Sequence, residues 1–416
     1  MKMPQQGRDW DELRAEMIAR GGGDVDWRGG KTAVYVFNAG EDVHHVQHEA
    51  YGMFMAENGL GPLAFPSLAQ MEKEVIGMAL GLLHAPEGAA GAMTSGGTDS
   101  ITMAMKTARD FARANDKPLT DHNIVLPRSA HLAFDKAAHL MDIAVRRVPL
   151  KGDGSYEADA GAMAEAVDAS TIMMVGSAPN FPHGIIDPIA ALGEVAAAKG
   201  VWLHVDACVG GYFAPFARMN GVPVPDFDFA VPAVHSMSAD LHKYGYCAKG
   251  ASTVLFRSEA LYKHMPFSMR DWSGAPMKTP TLAGTRPGGA ISAAWAVMNM
   301  LGVEGYREKQ RLVCATREKI EAGVKALGFE VLGRPLLGLI AFRHPEAETL
   351  ALYAAMRARG WFTSFTAEPA SLHLMLSPKH AEVADAYLSD LAAALADVKA
   401  GVKAGVKAEK VEARYS

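Results

Sequence analysis

Cysteine is scarce in this chain of 416 residues: there are three, Cys208, Cys247 and Cys314, with no C-x-x-C pair among them. That scatter argues against a zinc site and against an oxidised framework; no metal is expected, and a reducing cytoplasm fits. An excess of positive charge is missing as well. Lys+Arg 41 against Asp+Glu 46 gives a formal charge of -5, without the basic surface needed to neutralise a phosphate backbone, so nucleic acid is not expected as a partner. Nor is there an uninterrupted run of about 18 apolar residues, which argues against a membrane span. Near the start, Asp9, Asp11, Glu12 and Glu16 alternate with Arg8, Arg14 and Arg20, so no signal peptide is expected.

Apolar residues and glycine are plentiful. With 49% hydrophobic and 21% charged residues, the chain can bury a large core, and disorder is excluded. The 41 glycines exceed the usual share of about 7%, so their placement becomes informative.

From about Ala92 helical periodicity alternates with short apolar runs, the pattern of an α/β layer architecture with a mostly parallel sheet. Ile101, Met105, Ala108 and Phe111 recur at three- and four-residue steps and predict a helix over Thr98 to Phe111. Strands are expected at Asn123 to Leu126, Ala144 to Val148, Thr171 to Gly176, Val201 to Val205, Val234 to Met237 and Thr253 to Phe256, with a helix at Pro188 to Lys199. From about Gly289 the pattern changes. A long helical stretch, Ile291 to Leu327, precedes strands at Leu337 to Phe342 and Ser371 to Leu376 and helices at Ala347 to Arg359 and His380 to Val398, suggesting a smaller α+β domain. The expected division is a helical or irregular lead-in, 1–65, a large domain, 66–288, and a small C-terminal domain, 289–416. The Val-Lys-Ala-Gly repeat after Val398 reads as a fraying helix end.

The strongest chemical signal lies in Ser236 to Tyr246, where His242 and Lys243 follow an apolar strand. Alone, Lys243 is compatible with an ordinary surface lysine. Asp206 changes the reading, because it ends the preceding strand and so shares the carboxyl edge of one sheet with Lys243. A Schiff-base lysine and an acidic partner for a pyridinium nitrogen are what pyridoxal phosphate requires. Gly96, Gly97 and Thr98 stand at a helix start, where free N–H groups favour an anion such as the cofactor phosphate. His131 follows another strand end, in position to stack on the ring.

The segments Thr94-Ser-Gly-Gly-Thr-Asp-Ser-Ile, Ser129-Ala-His-Leu-Ala-Phe-Asp, Phe181-Pro-His-Gly-Ile-Ile-Asp-Pro188, His204-Val-Asp-Ala-Cys-Val-Gly-Gly211, Ser238-Ala-Asp-Leu-His-Lys-Tyr-Gly-Tyr-Cys-Ala-Lys-Gly250 and Ala283-Gly-Thr-Arg-Pro-Gly-Gly289 together resemble the sphingosine-1-phosphate lyase branch of the pyridoxal-phosphate-dependent group II decarboxylases. The resemblance implies the type I fold of these enzymes, aspartate aminotransferase-like, and a homodimer with its site at the subunit interface. It implies that Lys243 forms the Schiff base, Asp206 pairs with the pyridine nitrogen and His131 stacks on the ring. Gly96, Gly97, Thr98 and His242 then hold the cofactor phosphate, with Thr285 reaching it from the other subunit. Tyr35 and Lys249 are implied to bind a substrate phosphate, and Asn58 and Tyr246 complete the candidate substrate contacts. One position departs from the pattern: where the lyases carry a histidine, this chain has Gly61.

The expected activity is therefore cleavage of the Cα–Cβ bond of a (phospho)amino alcohol, a small-molecule amine, to an aldehyde and an amine. Lys243, Tyr244 and Tyr246 are candidate bases for the β-hydroxyl proton. Amino-acid decarboxylation is the runner-up, with Arg270, Arg286 and Arg343 available to a substrate carboxylate. Aminotransfer ranks third, and a non-catalytic cofactor-binding dimer last.

Overall fold

A computed structural model describes residues 2–115 and 121–401; the repeat after Val398 continues outside the described residues. Seven strands form the main sheet: β1 (Ala90–Thr94), β2 (Asn123–Pro127), β3 (Ala144–Val148), β4 (Thr171–Ser177), β5 (Trp202–Asp206), β6 (Val234–Ala239) and β7 (Ser252–Phe256). Their spatial order is β1-β7-β6-β5-β4-β2-β3. All are parallel except β7, which runs against both β1 and β6. The carboxyl ends of β1, β2, β4, β5 and β6 consequently share one edge, and the loops that leave it build the site.

Helices before and between these strands are α1 (Trp10–Gly21), α2 (Glu41–Met53), α3 (Pro66–Leu82), α4 (Gly97–Ala114), α5 (Ala133–Met141), α6 (Ala160–Ala166), α7 (Ile189–Lys199) and α8 (Ala214–Met219). The period-2 alternation of the buried strands separates two apolar layers. Met173, Val175, Trp202, Val254 and Phe256 pack with Ile101 and Met105 of α4 and Phe134 of α5. Met174, Leu203, Val205, Met237 and Leu255 face the other way, onto Leu192 of α7 and Phe216 of α8.

Past the sheet come α9 (Glu259–Tyr262), a ribbon of β8 (Phe267–Met269) and β9 (Met277–Thr279), and α10 (Gly288–Ala326). The continuous helix expected over Ile291 to Leu327 is broken: Gly302 has φ 54, a left-handed conformation open to glycine, and separates two helical segments. A second sheet holds β10 (Glu330–Val331), β11 (Leu339–Arg343), β12 (Ser364–Ala367) and β13 (Ala370–Met375), flanked by α11 (Thr349–Ala358) and α12 (Ala384–Lys399). The helix expected from His380 is also divided, into a short 3₁₀ turn, Pro378–Glu382, and α12. The lead-in is joined to this second sheet. Thr32 bridges Phe362, the Met375 N–H donates to the Ala33 carbonyl, and a His380 ring nitrogen reaches the Thr32 carbonyl.

Candidate active site

The loop from β1 turns through Gly96 and Gly97 into α4. No side chain caps that helix, so the N–H groups of its first turn lack intrahelical acceptors and remain available to an anion. Glycine is needed for the close approach. A Cβ on Gly97 would lie 2.9 Å from Cys208 Sγ and from an Asp240 carboxylate oxygen, and one on Gly96 would lie 3.3 Å from His242 Cε1.

Gly96, Gly97, Thr98, His131, Asp206, His242 and Lys243 all line one cavity of about 380 Å³, together with Asp240 and the apolar Ile101, Pro179, Phe181 and Val209. Asp206 ends β5. Its Oδ1 accepts from the Cys208 N–H at 3.1 Å and the Ser238 hydroxyl at 3.2 Å, and the residue lines the cavity. Lys243 follows β6, and its Nζ lies 2.9 Å from Asp240 Oδ2. Burial works against the Lys243 ammonium, but the Asp240 carboxylate outweighs it and raises the pKa above the ordinary lysine value. Burial also keeps His131 neutral by lowering its pKa, against the pull of Asp206. The same cause lowers His242 to about 4; its Nδ1 accepts from the Ala251 N–H at 3.3 Å.

Other candidates lie beside this cavity or away from it. Lys249 stands behind His242, its Nζ donating to the Tyr35 carbonyl at 2.7 Å and the His242 carbonyl at 3.4 Å. Burial and the neighbouring Lys243 lower its pKa to about 8. The Tyr35 ring is half exposed and tilts against Phe362. Asn58 Nδ2 donates to the Thr285 hydroxyl at 3.3 Å, and Thr285 lies in a small adjoining pocket that shares Ser95 and Asp99 with the main cavity. Two expectations need correcting. Tyr244 and Tyr246 are fully buried in the core, their hydroxyls donating to the Leu376 carbonyl and to Gln310, so within this chain neither is placed as a base or a substrate contact. Arg286 is tied to Glu72, Gly59 and Met93, and Arg343 pairs with Glu330 on the second sheet. Arg270 is exposed next to the ribbon. Among the described residues no arginine lines the main cavity.

Sequence reasoning missed Asp240. It sits three residues before Lys243, within the same motif, and an acid at that spacing in a turn was the available signal. Its Oδ1 is buried and lies outside hydrogen-bond geometry with any of the described residues.

A mostly parallel sheet with a lysine and an aspartate on its carboxyl edge, beside an uncapped glycine-led helix, defines the type I class of pyridoxal-phosphate-dependent enzymes. Residues 25–345 match the model of the pyridoxal-dependent decarboxylase conserved domain, and the chain belongs to that family. It is similar to a sphingosine-1-phosphate lyase of Oryza sativa subsp. japonica, 40% identical over 90% of this chain and 71% of the relative. A sphingosine-1-phosphate lyase of Arabidopsis thaliana is 38% identical over 90% of this chain and 70% of its own. Among solved structures, a sphingosine-1-phosphate lyase of Burkholderia pseudomallei K96243 superimposes with a TM-score of 0.92 at 35% identity, covering 96% of this chain and 94% of that one. The protein is a pyridoxal-phosphate-dependent lyase. The glycine cradle and uncapped helix suit a phosphate, and the free Oδ2 of Asp206 suits a ring nitrogen, so the residues present fit the cofactor.

Proposed function

We propose that the enzyme cleaves the Cα–Cβ bond of a phosphorylated amino alcohol, releasing an aldehyde and a phosphorylated amine. The observation that carries this reading is the charge arrangement around the cavity. Lys249 does not itself line the cavity but offers a cation directly behind His242, which does, while among the described residues no arginine lines it to orient a carboxylate. Amino-acid decarboxylation, the alternative, is correspondingly less supported. The relatives named as sphingosine-1-phosphate lyases favour the same reading, and the apolar wall of Ile101, Pro179, Phe181 and Val209 suits a substrate with a hydrocarbon portion.

Bound pyridoxal phosphate supplies an electron sink for the pair released when a bond to the substrate α-carbon breaks. Lys243 Nζ would be its covalent anchor, Asp206 would keep a proton on the ring nitrogen, and His131 would cover a ring face. The N–H groups at Gly96, Gly97 and Thr98, with His242, would bind the cofactor phosphate, and Thr285 would reach it across a dimer interface. Tyr35, Asn58 and Lys249 bind the substrate end. Of the three candidate bases, Lys243 alone faces the cavity. With the cofactor bound, the Lys243 amine would accept the β-hydroxyl proton and would return a proton to the substrate α-carbon. Tyr244 and Tyr246 instead brace the turn that carries Lys243.

A homodimer is part of the proposal, supported by exposed Phe267, Met269, Trp272, Met277 and Leu282 beside the Thr285 loop. Three buried, unpaired cysteines support a reducing, cytoplasmic setting; among the described residues no helix is long and apolar enough to cross a membrane. We place the large unit at 66–288, between the lead-in and a small unit at 289–416. The test is a substrate screen of phosphoethanolamine-type amino alcohols and amino acids, scored separately for aldehyde and carbon dioxide. Aldehyde without carbon dioxide is expected; carbon dioxide without aldehyde would reverse the assignment.

A further inference from the structure

Beneath Asp206 runs a line of polar groups in an otherwise apolar layer. Trp202, His204 and Asp206 alternate along one face of β5, and Ser236 and Ser238 stand opposite His204 and Asp206 on the parallel β6. The Trp202 indole N–H donates to Ser236 Oγ at 2.8 Å, Ser236 Oγ lies 2.8 Å from His204 Nδ1, and His204 Nε2 lies 3.3 Å from Ser238 Oγ. Ser238 then donates to Asp206 Oδ1 at 3.2 Å. His204, Ser236 and Ser238 are fully buried, and Phe134 packs edge-on against the His204 ring. Polar groups in such a layer cost free energy unless each is satisfied.

The two ends fix the bonds they make, and the carboxylate end also fixes the bond between Ser238 and His204. An indole N–H can only donate and a carboxylate can only accept. Ser236, accepting from Trp202, has its own proton for His204 Nδ1. Ser238, giving its proton to Asp206, has a lone pair for His204 Nε2–H. A proton on Nε2 is required in either case, and of the two rings that then satisfy the line, the neutral Nε2–H imidazole directs every donor toward the carboxylate while the imidazolium would place a charge in a fully buried layer. Burial, which lowers the His204 pKa to about 4, agrees with the neutral ring.

We propose that His204 is a positioning residue, fixed as the Nε2–H tautomer, which through Ser238 holds Asp206 Oδ1 so that Oδ2 stays aimed at the cofactor ring nitrogen. This rests on the cofactor site proposed above and extends it one layer below the cavity. Neither His204 nor either serine lines the cavity.

The tautomer can be read without any substitution, by NMR of the holoenzyme labelled with 15N-histidine, His204 being assigned by the signal lost in His204→Gln. A neutral Nε2–H ring that does not titrate across the neutral range is expected; an Nδ1–H ring would overturn the proposal. A second arm measures pyridoxal phosphate dissociation and the 15N shift of its ring nitrogen in His204→Phe, Ser238→Ala and His204→Gln. We expect the first two to bind about tenfold more weakly, from the loss of a hydrogen bond to a charged group, and to move the ring-nitrogen signal toward its unprotonated position. His204→Gln, which keeps an N–H for Ser238, is expected to recover most of both. Unchanged dissociation and an unchanged nitrogen shift in folded His204→Phe would overturn the proposal. If the unsubstituted chain bound no pyridoxal phosphate at all, the site assignment itself would fall, which separates the two failures.

Discussion

Replacing Asp240 by asparagine isolates one charge in the candidate site. Asp240 Oδ2 lies 2.9 Å from Lys243 Nζ and 3.7 Å from His242 Nε2, and the side chain is almost wholly buried. At an effective dielectric constant of about 20, unit charges at that shorter separation attract by roughly 6 kcal/mol. Such an energy corresponds to about four tenfold steps in the ratio of ammonium to amine. Part is recovered by rearrangement and by Asp206, so we expect at least one tenfold step to survive. Only the neutral amine attacks an aldehyde. Asp240→Asn should therefore raise the fraction of reactive Lys243 and speed capture of pyridoxal phosphate by apoenzyme at neutral pH at least tenfold. Stopped-flow absorbance across a pH series reads this directly. In the unsubstituted protein the rate should climb with pH throughout the neutral range; in Asp240→Asn it should level off at lower pH. An Asp240→Asn protein that folds normally yet captures the cofactor at the same rate, with the same pH profile, would refute the assignment of Asp240 as the group that keeps Lys243 charged.

Four further outcomes follow from the same coordinates. Lys249→Met should lower kcat/KM for a phosphorylated substrate about tenfold while sparing an unphosphorylated analogue. In the unsubstituted enzyme, KM for the phosphorylated substrate should rise as pH passes about 8, where Lys249 loses its proton; a flat profile in steady-state assays would count against phosphate recognition by Lys249. At Gly61 the nearest atoms to an added Cβ are Ala64 and Phe65, at 3.8 and 3.9 Å, and φ does not lie in the left-handed region, so Gly61→His should fold with an unchanged melting temperature and lower KM for phosphorylated over unphosphorylated substrate. Equal KM changes for both would deny that position a role in phosphate selection. His204 and His242, lowered by burial from 6.5 to about 4, stay neutral in the fold while the unfolded chain takes up protons below about 6.5. Stability is then lost as pH falls from about 6.5 to about 4, with each buried imidazole contributing about 2 kcal/mol of the loss by pH 5. Urea titrations at pH 7 and pH 5 should show a loss smaller by that amount in His204→Gln, and an identical loss would contradict the buried-neutral assignment.

The legible parts of the fold were those in which side-chain pattern and local structure agree. Thr171–Ser177 is an unbroken buried strand rich in apolar residues, and α4 repeats apolar positions at helical spacing. By contrast β1 reads Ala-Gly-Ala-Met-Thr, small residues with little strand preference. It is a strand because of its neighbour: a Cβ on Gly91 would lie 2.6 Å from the Val254 carbonyl of β7, a tertiary constraint that no local pattern expresses. The same division holds in the site. Gly96, Gly97, Asp206 and Lys243 were readable from position, because strand ends and helix starts have defined directions. Tyr244 and Tyr246 were misleading because closeness to Lys243 along the chain says nothing about where a turn aims each ring. His204 had a signal that went unused, since its two-residue step from Asp206 places both on one face of β5.

The reversed strand β7 has a consequence for the order in which the site forms. Because β7 runs back against β6, Lys243 and Lys249 both lie in the connection of a single hairpin. Their spacing depends on closing one short loop, whereas bringing Gly97 or Asp206 to the same place requires closing far longer ones, and the entropic cost of closure grows with loop length. The two lysines thus belong to a unit of low contact order that can assemble early. Joining the glycine cradle and Asp206 to that unit requires the longer closures and carries the larger entropic cost.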